Sequence, residues 1–550
     1  MALPHGILPA LPPDALQHIA QYLGTSNEMR AFLTALPIEW LTPPMVALLE
    51  LYDCVLDGRL VDTSAEQPEM VQLWPKSLLP RFLFDGGRRR SEAETHLAAL
   101  LYAYMPLLPY VELRLGRTVA DIIPPETKLH VMTICSPNEL ARARTLGRLE
   151  TLDVFVYDDT DSDDANWAPQ DLHLVPTLRN LKLYWCCAAT AALHTGFIES
   201  LVSSNVTRLS LHYDVDDDAS WTDETVNTFA RWMHLAPITA LKLVKLSLRT
   251  HLRVQFATAI LTSQTLASLK VEGGNLPRVL FNLCSRSRDP ARRFSLPVQL
   301  ETLETNVRNS SDVVAFALAL RGANNLRRVS LFCDVGLDNR AVLALRRALM
   351  SLARLRSLEL GCCSMPLIPT EQMQRLVVLE LRRNYAGDMG IIPLAQTLPQ
   401  CQWLQQLSLI NQECTHLTAQ ALAAAIPHCP SLKVLDLSFN EVGSEGLIAL
   451  LPSIGSLDVL VLQANDVDAD GAYVLADDID ATAHLTQLDL SGNPISEDGV
   501  LSLIDAIGSS LVLRHGVLNL CETVDDEDER ENCAAFADER LPIRAWCKLQ

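Results

Sequence analysis

Hydrophobic residues recur along most of the chain in one short pattern, Leu-x-x-Leu-x-Leu, in which aliphatic residues occupy positions one, four and six. Such segments begin at residues 149, 178, 206, 238, 266, 300, 326, 355, 376, 404, 432, 457 and 485, and the twelve steps between them average 28 residues. Alternation of apolar and polar residues predicts a β-strand with one buried face. A recurring period of this length predicts a solenoid, in which each repeat buries its apolar side against its neighbours.

A second, helical half follows each predicted strand. The segments that begin at Leu432 and Leu485 read LKVLDLSFN and LTQLDLSGN and end on asparagine. An asparagine amide can satisfy backbone groups inside a turn. Four repeats have this residue in the same place: Asn384, Asn440, Asn465 and Asn493. Beyond it, an acid-glycine pair such as Glu445-Gly446 precedes apolar residues at helical spacing, so each repeat is predicted to be one strand followed by one helix.

Repeats of this length and form resemble the ribonuclease-inhibitor type of leucine-rich repeat, over roughly residues 105–520. The resemblance implies an α/β fold, a leucine-rich-repeat solenoid shaped as a horseshoe, with parallel strands on the concave face and helices outside. Strands lie about 4.8 Å apart whereas helices are about 10 Å wide, so a stack of such repeats curves. The steps vary from 21 to 34 residues, and two further repeats are expected at Leu108 and Glu126.

Four segments are predicted along the chain: an amino-terminal helical segment (1–45), a helical linker or cap (46–105), the solenoid (106–520) and an acidic carboxyl-terminal tail (521–550), expected to be flexible. The sequence LPPDALQHIAQYL at residues 11–23 has apolar residues at helical spacing. It resembles the first helix of an F-box, although Pro37 interrupts the second half of that motif.

The F-box resemblance implies a surface that binds the Skp-type adaptor of a cullin-based ubiquitin ligase, in a helix-in-groove mode. The residues that would form it are Leu11, Pro12, Leu16, Ile19, Tyr22 and Leu23. The same helix could instead cover the apolar end of the first repeat, since the terminal repeats of a solenoid need a cap. The sequence leaves both roles open.

The inner wall of the solenoid is the predicted binding site for a protein target. Positions three, five and seven of each repeat point away from the core because side chains alternate along a strand. Position eight is expected to be partly exposed, so its residues are included in the predicted binding site. The aromatic and cationic residues at these places are Phe155, Lys182, Tyr184, Trp185, Arg208, His212, Tyr213, Lys242, Lys245 and Lys270. Such residue types dominate binding hot spots, and we expect a partner with acidic and apolar groups.

Charge and composition narrow the function further. A formal net charge of −21 disfavours nucleic acid as a partner. Acids cluster at residues 158–164 and 214–218, but the first cluster has Asp164 and Gln170 where a calcium-binding EF-hand loop requires glycine and glutamate. Scattered cysteines, no apolar run suited to a membrane span and no signal-peptide pattern predict a cytoplasmic or nuclear protein without a membrane partner.

The chain lacks the phosphate-binding motif G-x-x-x-x-G-K-[ST], the zinc-protease motif H-E-x-x-H and the hydrolase motif G-x-S-x-G. We therefore predict no catalysis, no cofactor and no metal. The leading hypothesis is a substrate-receptor subunit of a Skp-cullin-F-box ubiquitin ligase, monomeric within a hetero-complex. The alternatives are a regulator resembling the Ran GTPase-activating proteins, which share such repeats and an acidic tail, and a repeat scaffold or inhibitor without a link to ubiquitin.

Overall fold

The structure is a computed structural model of the 550-residue chain. It describes residues 26–37, 41–56, 61–62, 69–70, 76–79, 96, 99–100, 103, 110–113, 129–134, 140, 149–156, 169–170, 172–187, 190–214, 221–285, 294–363, 373–479, 485–509, 517–524, 526–540 and 547–548. These residues belong to two compact units, Met1–Thr265 and Leu266–Gln550. Each unit is an array of parallel strands that alternate with helices.

In the described part of the first unit, two helices and a short antiparallel strand pair precede a run of parallel strands. The helices with described bounds are α1 (Ser26–Ala35), α2 (Pro43–Leu56), α3 (Ala191–Val202), α4 (Asp223–Leu235) and α5 (Thr250–Leu261). The antiparallel pair is β1 (Val61–Asp62) with β2 (Glu69–Met70). The parallel strands are β3 (Lys76–Leu79), β4 (Tyr110–Leu113), β5 (Leu129–Ile134), β6 (Thr151–Val156), β7 (Asn180–Trp185), β8 (Arg208–Tyr213) and β9 (Ala240–Val244).

The second unit continues the same alternation of strand and helix. Its parallel strands are β10 (Ser268–Glu272), β11 (Thr302–Val307), β12 (Arg328–Cys333), β13 (Ser357–Gly361), β14 (Val378–Arg382), β15 (Gln406–Ile410), β16 (Val434–Asp436), β17 (Val459–Val461), β18 (Gln487–Asp489), β19 (Val517–Asn519) and β20 (Cys547–Lys548). Its helices are α6 (Leu276–Ser285), α7 (Ser310–Ala319), α8 (Asn339–Ser351), α9 (Gly387–Thr397), α10 (His416–Ala425), α11 (Gly443–Leu450), α12 (Ala469–Asp477), α13 (Ser496–Ser509) and α14 (Glu527–Arg540).

Burial follows the repeat pattern residue by residue. In β6 and β7 every second side chain is buried and the others are half-buried. The leucines at positions four and six of each repeat therefore form the core beneath the helices, as Leu181 and Leu183 do with no exposed surface. Equivalent positions pair across neighbouring strands, for example Leu183 with Leu211. The predicted leucine-rich-repeat fold is confirmed, including the upstream repeats, whose strands are β4 and β5.

Buried asparagines fix the turns of the later repeats, as the sequence predicted. Asn493 is only 1% exposed. Its Oδ1 accepts hydrogen bonds from the backbone N–H groups of Asn465 and Val467 in the preceding repeat at 2.8 and 3.0 Å. Its Nδ2 donates to the carbonyl oxygens of Leu462 and Leu490 at 2.8 and 2.7 Å. One side chain thus ties two consecutive repeats together and leaves the turn with satisfied backbone groups.

Two expectations about the ends of the array are corrected. Among the described residues, strand β3 already belongs to the parallel ladder, inside segment 46–105, where the sequence predicted a helical linker or cap. The acidic stretch near residue 527 was expected to be flexible, but Glu527–Arg540 is a helix. Asp526 caps it by accepting from the N–H groups of Asp528 and Glu529, and two small residues among the charges, Cys533 and Ala537, are buried.

Candidate protein-binding surface

Three aromatic side chains stack in a row on the sheet face opposite the helices of the first unit. Phe155, Tyr184 and His212 each occupy position seven of their repeat, and they pair in register across β6, β7 and β8. The ring centroids of Phe155 and Tyr184 are 4.4 Å apart with the planes inclined by 6°, and those of Tyr184 and His212 are 4.6 Å apart at 27°. The parallel ladder therefore aligns the three rings, which we call the aromatic row.

The stacking decides which part of each ring is open to solvent. All three side chains are half-buried. Phe155 and His212 stack on opposite sides of Tyr184, so the part of the Tyr184 ring that remains open is its edge. The edge of an aromatic ring carries partial positive charge, whereas its face is negative. The row thus offers an apolar surface with a weakly positive border, which suits acidic or carbonyl groups better than cations.

An ion pair lies beside the row at position five. The Lys182 ammonium is 2.9 Å from the Asp153 carboxylate, and the lysine side chain is 37% exposed. Burial raises the pKa of the Tyr184 hydroxyl above its ordinary value, the negative charge of Asp153 raises it further, and Lys182 opposes the shift. Tyr184 therefore keeps its proton at physiological pH and can donate a hydrogen bond to a partner.

The remaining predicted cations of the first unit extend this surface. Arg208, at position three of its repeat, is exposed at the start of β8, and Lys242, at position five of its repeat, is half-buried in β9. Lys245 is exposed just past the end of β9, in a left-handed backbone conformation with φ 55°. His212 shares a hydrogen bond of 2.9 Å with the hydroxyl of Ser210. The row is thus bordered by basic side chains, consistent with the predicted preference for an acidic partner.

Trp185 and Tyr213 are not on this surface, contrary to the expectation that position eight is partly exposed. They are 1% and 4% exposed. Strands β7 and β8 extend to position eight, so the alternation continues and turns these two rings into the core. There Tyr213 Oη lies 3.1 Å from Nε2 of His194 and accepts a hydrogen bond from the Trp221 indole at 3.2 Å. Both residues stabilise the core and are not available for contact with a partner.

Lys270 belongs to the second unit, Leu266–Gln550. Its ammonium lies 2.9 Å from Glu272 and 3.1 Å from Glu304. Partial burial opposes its charged form, but the hydrogen bonds to these two glutamates raise its pKa overall. Both glutamates already hold this cation, so its contribution to a partner contact is smaller than the sequence suggested.

Several predicted residues lie outside the described part of the chain. These are the adaptor-binding residues Leu11, Pro12, Leu16, Ile19, Tyr22 and Leu23, the acids of 158–164 and the acids of 216–218. Conversely, sequence reasoning missed Asp153, which pairs with Lys182, and the buried Ser210, whose hydroxyl holds His212. Both occupy position five, so the strand alternation that identified Lys182 also indicates these two positions.

Two further properties concern only the described residues. No cluster of three or more His, Cys, Asp or Glu side chains is arranged to hold a metal ion within that part of the chain. Among the helices that the structure describes, none combines the length and apolar character needed to cross a membrane.

Comparison with known proteins supports the repeat assignment. Residues 428–451 and 483–503 match the family described as Leucine Rich repeat. No curated protein matches the sequence. Among solved structures, a chain of the Rad7 and Elc1 complex in yeast shows 16% sequence identity and a TM-score of 0.36 over 62% of this chain and 78% of that chain. The matched segments lie within the array of alternating parallel strands and helices, whose fold is that of a leucine-rich-repeat solenoid.

Proposed function

We propose that this chain is a non-catalytic adaptor that binds a protein target on the aromatic row and serves as the substrate receptor of a Skp-cullin-F-box ubiquitin ligase. The observation that carries the binding role is the in-register stack of Phe155, Tyr184 and His212 on an open sheet face. The ligase role depends on the F-box-like sequence at residues 11–23. The adaptor would act by raising the local concentration of the target near the ubiquitin-charged enzyme.

The chemistry of the row favours a target segment with acidic and apolar side chains. Arg208 and Lys242 lie on the same face as the three rings, and the open edge of the Tyr184 ring favours negative groups. Aromatic anchors flanked by polar side chains are typical of binding hot spots. The half-buried rings are already held in place by stacking, so a partner would order few side chains on binding.

The target-binding role is tested with the full-length chain in which Phe155, Tyr184 and His212 are all replaced by alanine. Affinity purification followed by mass spectrometry should recover the main cellular target at least tenfold less well than with the wild type. Leu235→Ala and Val254→Ala serve as controls, because these side chains are 67% and 50% exposed on helices α4 and α5. Unchanged recovery with the triple variant, in a chain that remains folded by circular dichroism, would refute the role of the row.

The ligase role needs a separate test. Leu16→Glu in the full-length chain places a charge on the predicted adaptor-binding helix and should abolish co-purification of the Skp-type adaptor and cullin, while the target is still recovered. Gln17→Glu is the matched control, since Gln17 is outside the predicted contact set. Recovery of the target without any adaptor from the wild-type chain would leave a binding scaffold. Stimulated GTP hydrolysis by a Ran-type GTPase would instead support the regulator alternative.

A further inference from the structure

Large apolar side chains are exposed on one edge of the second unit, in the loops and first helical turns that follow strands β14, β15 and β16. Tyr385, Met389, Leu417 and Phe439 are 54%, 89%, 48% and 51% exposed. Tyr385 and Phe439 follow β14 and β16 directly, whereas Met389 and Leu417 lie in the first turns of α9 and α10. The carboxyl ends of consecutive parallel strands share one edge of the sheet, so all four lie on that side. Single exposed apolar residues are ordinary, but a contiguous group marks an interaction site.

The backbone at this edge makes the same left-handed turn in successive repeats. Phe439 has φ 58° and Tyr385 has φ 51°, in the left-handed region. Glycine adopts this conformation without strain, and a bulky residue there is uncommon. The position equivalent to Phe439 has φ between 50° and 67° in seven other repeats, where it is held by Lys245, Gly273, Cys362, Arg383, Asn411, Ala464 and Gly492. The repeat therefore sets the backbone here whichever side chain is present, so the turn itself does not require the exposed Phe439 ring.

Backbone hydrogen bonds connect these loops to one another in neighbouring repeats. The N–H of Gly387 donates to the carbonyl of Gln412 at 2.7 Å, and the N–H of Glu441 donates to the carbonyl of Cys414 at 2.8 Å. Phe439 donates its N–H to Gln463 in the next repeat, also at 2.8 Å. The exposed side chains therefore project from a preordered surface, which lowers the entropic cost of binding.

The same loops are strongly acidic. Residues 383–389, 411–417, 439–445 and 464–470 contain the acids Asp388, Glu413, Glu441, Glu445, Asp466, Asp468 and Asp470, beside Arg383 and His416. Glu413, Glu441 and Asp466 are exposed and hold the same repeat position as Tyr385. The negative field at this edge repels nucleic acid and attracts positive side chains.

We propose that Tyr385, Met389, Leu417 and Phe439, with Glu413, Glu441 and Asp466, form a rim patch that binds a basic peptide segment carrying apolar side chains. Phe439 and Tyr385 are two ladder steps apart, on the order of 10 Å, which is about three residues of extended chain. Apolar side chains of the peptide contact the rings, and its lysine or arginine side chains lie over the carboxylates. This site is in the second unit and does not depend on the aromatic row.

The test uses the full-length chain and a fluorescent peptide in which lysine alternates with leucine, measured by fluorescence anisotropy. We expect saturable binding that is at least tenfold tighter than that of two control peptides, one alternating lysine with serine and one alternating glutamate with leucine. Equal binding of the lysine-serine peptide would reduce the interaction to general charge attraction and overturn the proposal. Equal binding of the glutamate-leucine peptide would also overturn it.

Variants then locate the site. Phe439→Gly removes the ring and introduces glycine, which accepts the left-handed backbone without strain, so the chain stays folded. This variant should bind the lysine-leucine peptide at least fivefold more weakly. Trp403→Ala is the matched control, because Trp403 is 67% exposed but directly precedes the repeat that begins at Leu404, at the opposite ends of the strands. Unchanged affinity for Phe439→Gly, or an equal loss for Trp403→Ala, would place the binding elsewhere.

Replacing two carboxylates of the rim patch by amides tests whether its negative charge contributes to peptide binding. Glu441→Gln with Asp466→Asn should weaken binding at least threefold and reduce its dependence on salt. Asp477→Asn with Asp478→Asn removes the same charge from the far end of helix α12, where both acids are exposed, and should leave affinity unchanged. Equal effects of the two pairs would contradict the proposed contact with the rim patch.

Discussion

The ring of Phe332 covers the backbone of Gly361 in the neighbouring strand. The two residues pair in register between β12 and β13, and a Cβ added to Gly361 would lie 2.1 Å from Cδ1 of Phe332. No real Cβ tolerates that distance, so the glycine is required for the ring to lie flat on the sheet. An exposed-face residue in one repeat therefore determines the residue type permitted in the next.

Gly361→Ala should lower the free energy of unfolding of the second unit by about 1–3 kcal/mol, because the added methyl group displaces the Phe332 ring. Urea unfolding followed by circular dichroism measures the change. In the double variant Gly361→Ala with Phe332→Ala the clash is absent, so part of the loss should be recovered. Additive losses in the two single variants and the double variant would show that the two side chains do not interact.

Asn493→Ala should be more damaging, by about 3 kcal/mol or more. The substitution leaves the buried N–H groups of Asn465 and Val467 and the carbonyls of Leu462 and Leu490 without their partner, and each such loss costs about 1 kcal/mol or more. Asn519→Ala is the control, since its side chain donates to Asp489 at 2.9 Å from a half-buried position and should cost under about 1 kcal/mol. Similar losses at the two positions would contradict the role of the buried asparagines.

Asp468→Ala should destabilise helix α12 in a pH-dependent manner. The hydrogen bond from Ser444 lowers the pKa of the Asp468 carboxyl below its ordinary value of 3.8, and N–H groups of the first helical turn add to the effect. A depressed carboxyl pKa gives stability that is present above 3.8 and lost as the pH falls through the folded-state value. The variant should therefore lose about 1 kcal/mol near neutral pH, and the deficit should shrink below pH 3.8.

The matched control for this prediction is Asp477→Ala at the other end of the same helix. A negative charge at a helix carboxyl terminus is unfavourable, so this variant should lose no stability near neutral pH. Denaturant unfolding at both pH values measures both variants. A deficit for Asp468→Ala that stays constant with pH would show that ionisation of the cap is irrelevant.

Asp153→Asn should lower the pKa of Tyr184, because the Asp153 charge raises it after burial, whereas Lys182→Gln should raise it further. Nuclear magnetic resonance of tyrosine labelled at the ring carbon next to the hydroxyl can follow the titration. Phe155→Leu, which removes the stacked ring but no charge, is the control for a change in burial alone. Shifts in the same direction for Asp153→Asn and Lys182→Gln would mean that the ion pair does not act on this hydroxyl.

The period of the leucines was sufficient to predict the fold and the register of its strands. Leucines at positions four and six have to face the core, so the positions that face solvent follow from the alternation, and Phe155, Tyr184 and His212 were identified correctly as sheet-face residues. The contacts between them were not predictable from a single repeat. They depend on which residues occupy position seven in three consecutive repeats.

Position eight shows where the sequence rule was incomplete. In repeats with asparagine at position nine, such as the one containing Asn440, the chain turns at position eight and exposes its side chain, as for Phe439. The repeats of Trp185 and Tyr213 have Cys186 and Asp214 there instead, and the strand continues inward. Asparagine alone does not decide the outcome, because Lys245 is followed by Leu246 and still turns out of the strand with φ 55°.

The residues at position eight of the later repeats hold their neighbours through main-chain atoms: the N–H groups of Arg383, Asn411, Phe439 and Ala464 each donate to a carbonyl of the next repeat. The identity of the side chain at these places is therefore largely uncoupled from folding, apart from the preference for residues that accept a left-handed backbone. Specificity can diverge here by single substitutions while the leucine layer stays intact, and an engineer could graft new recognition residues onto this row, starting from glycine or asparagine.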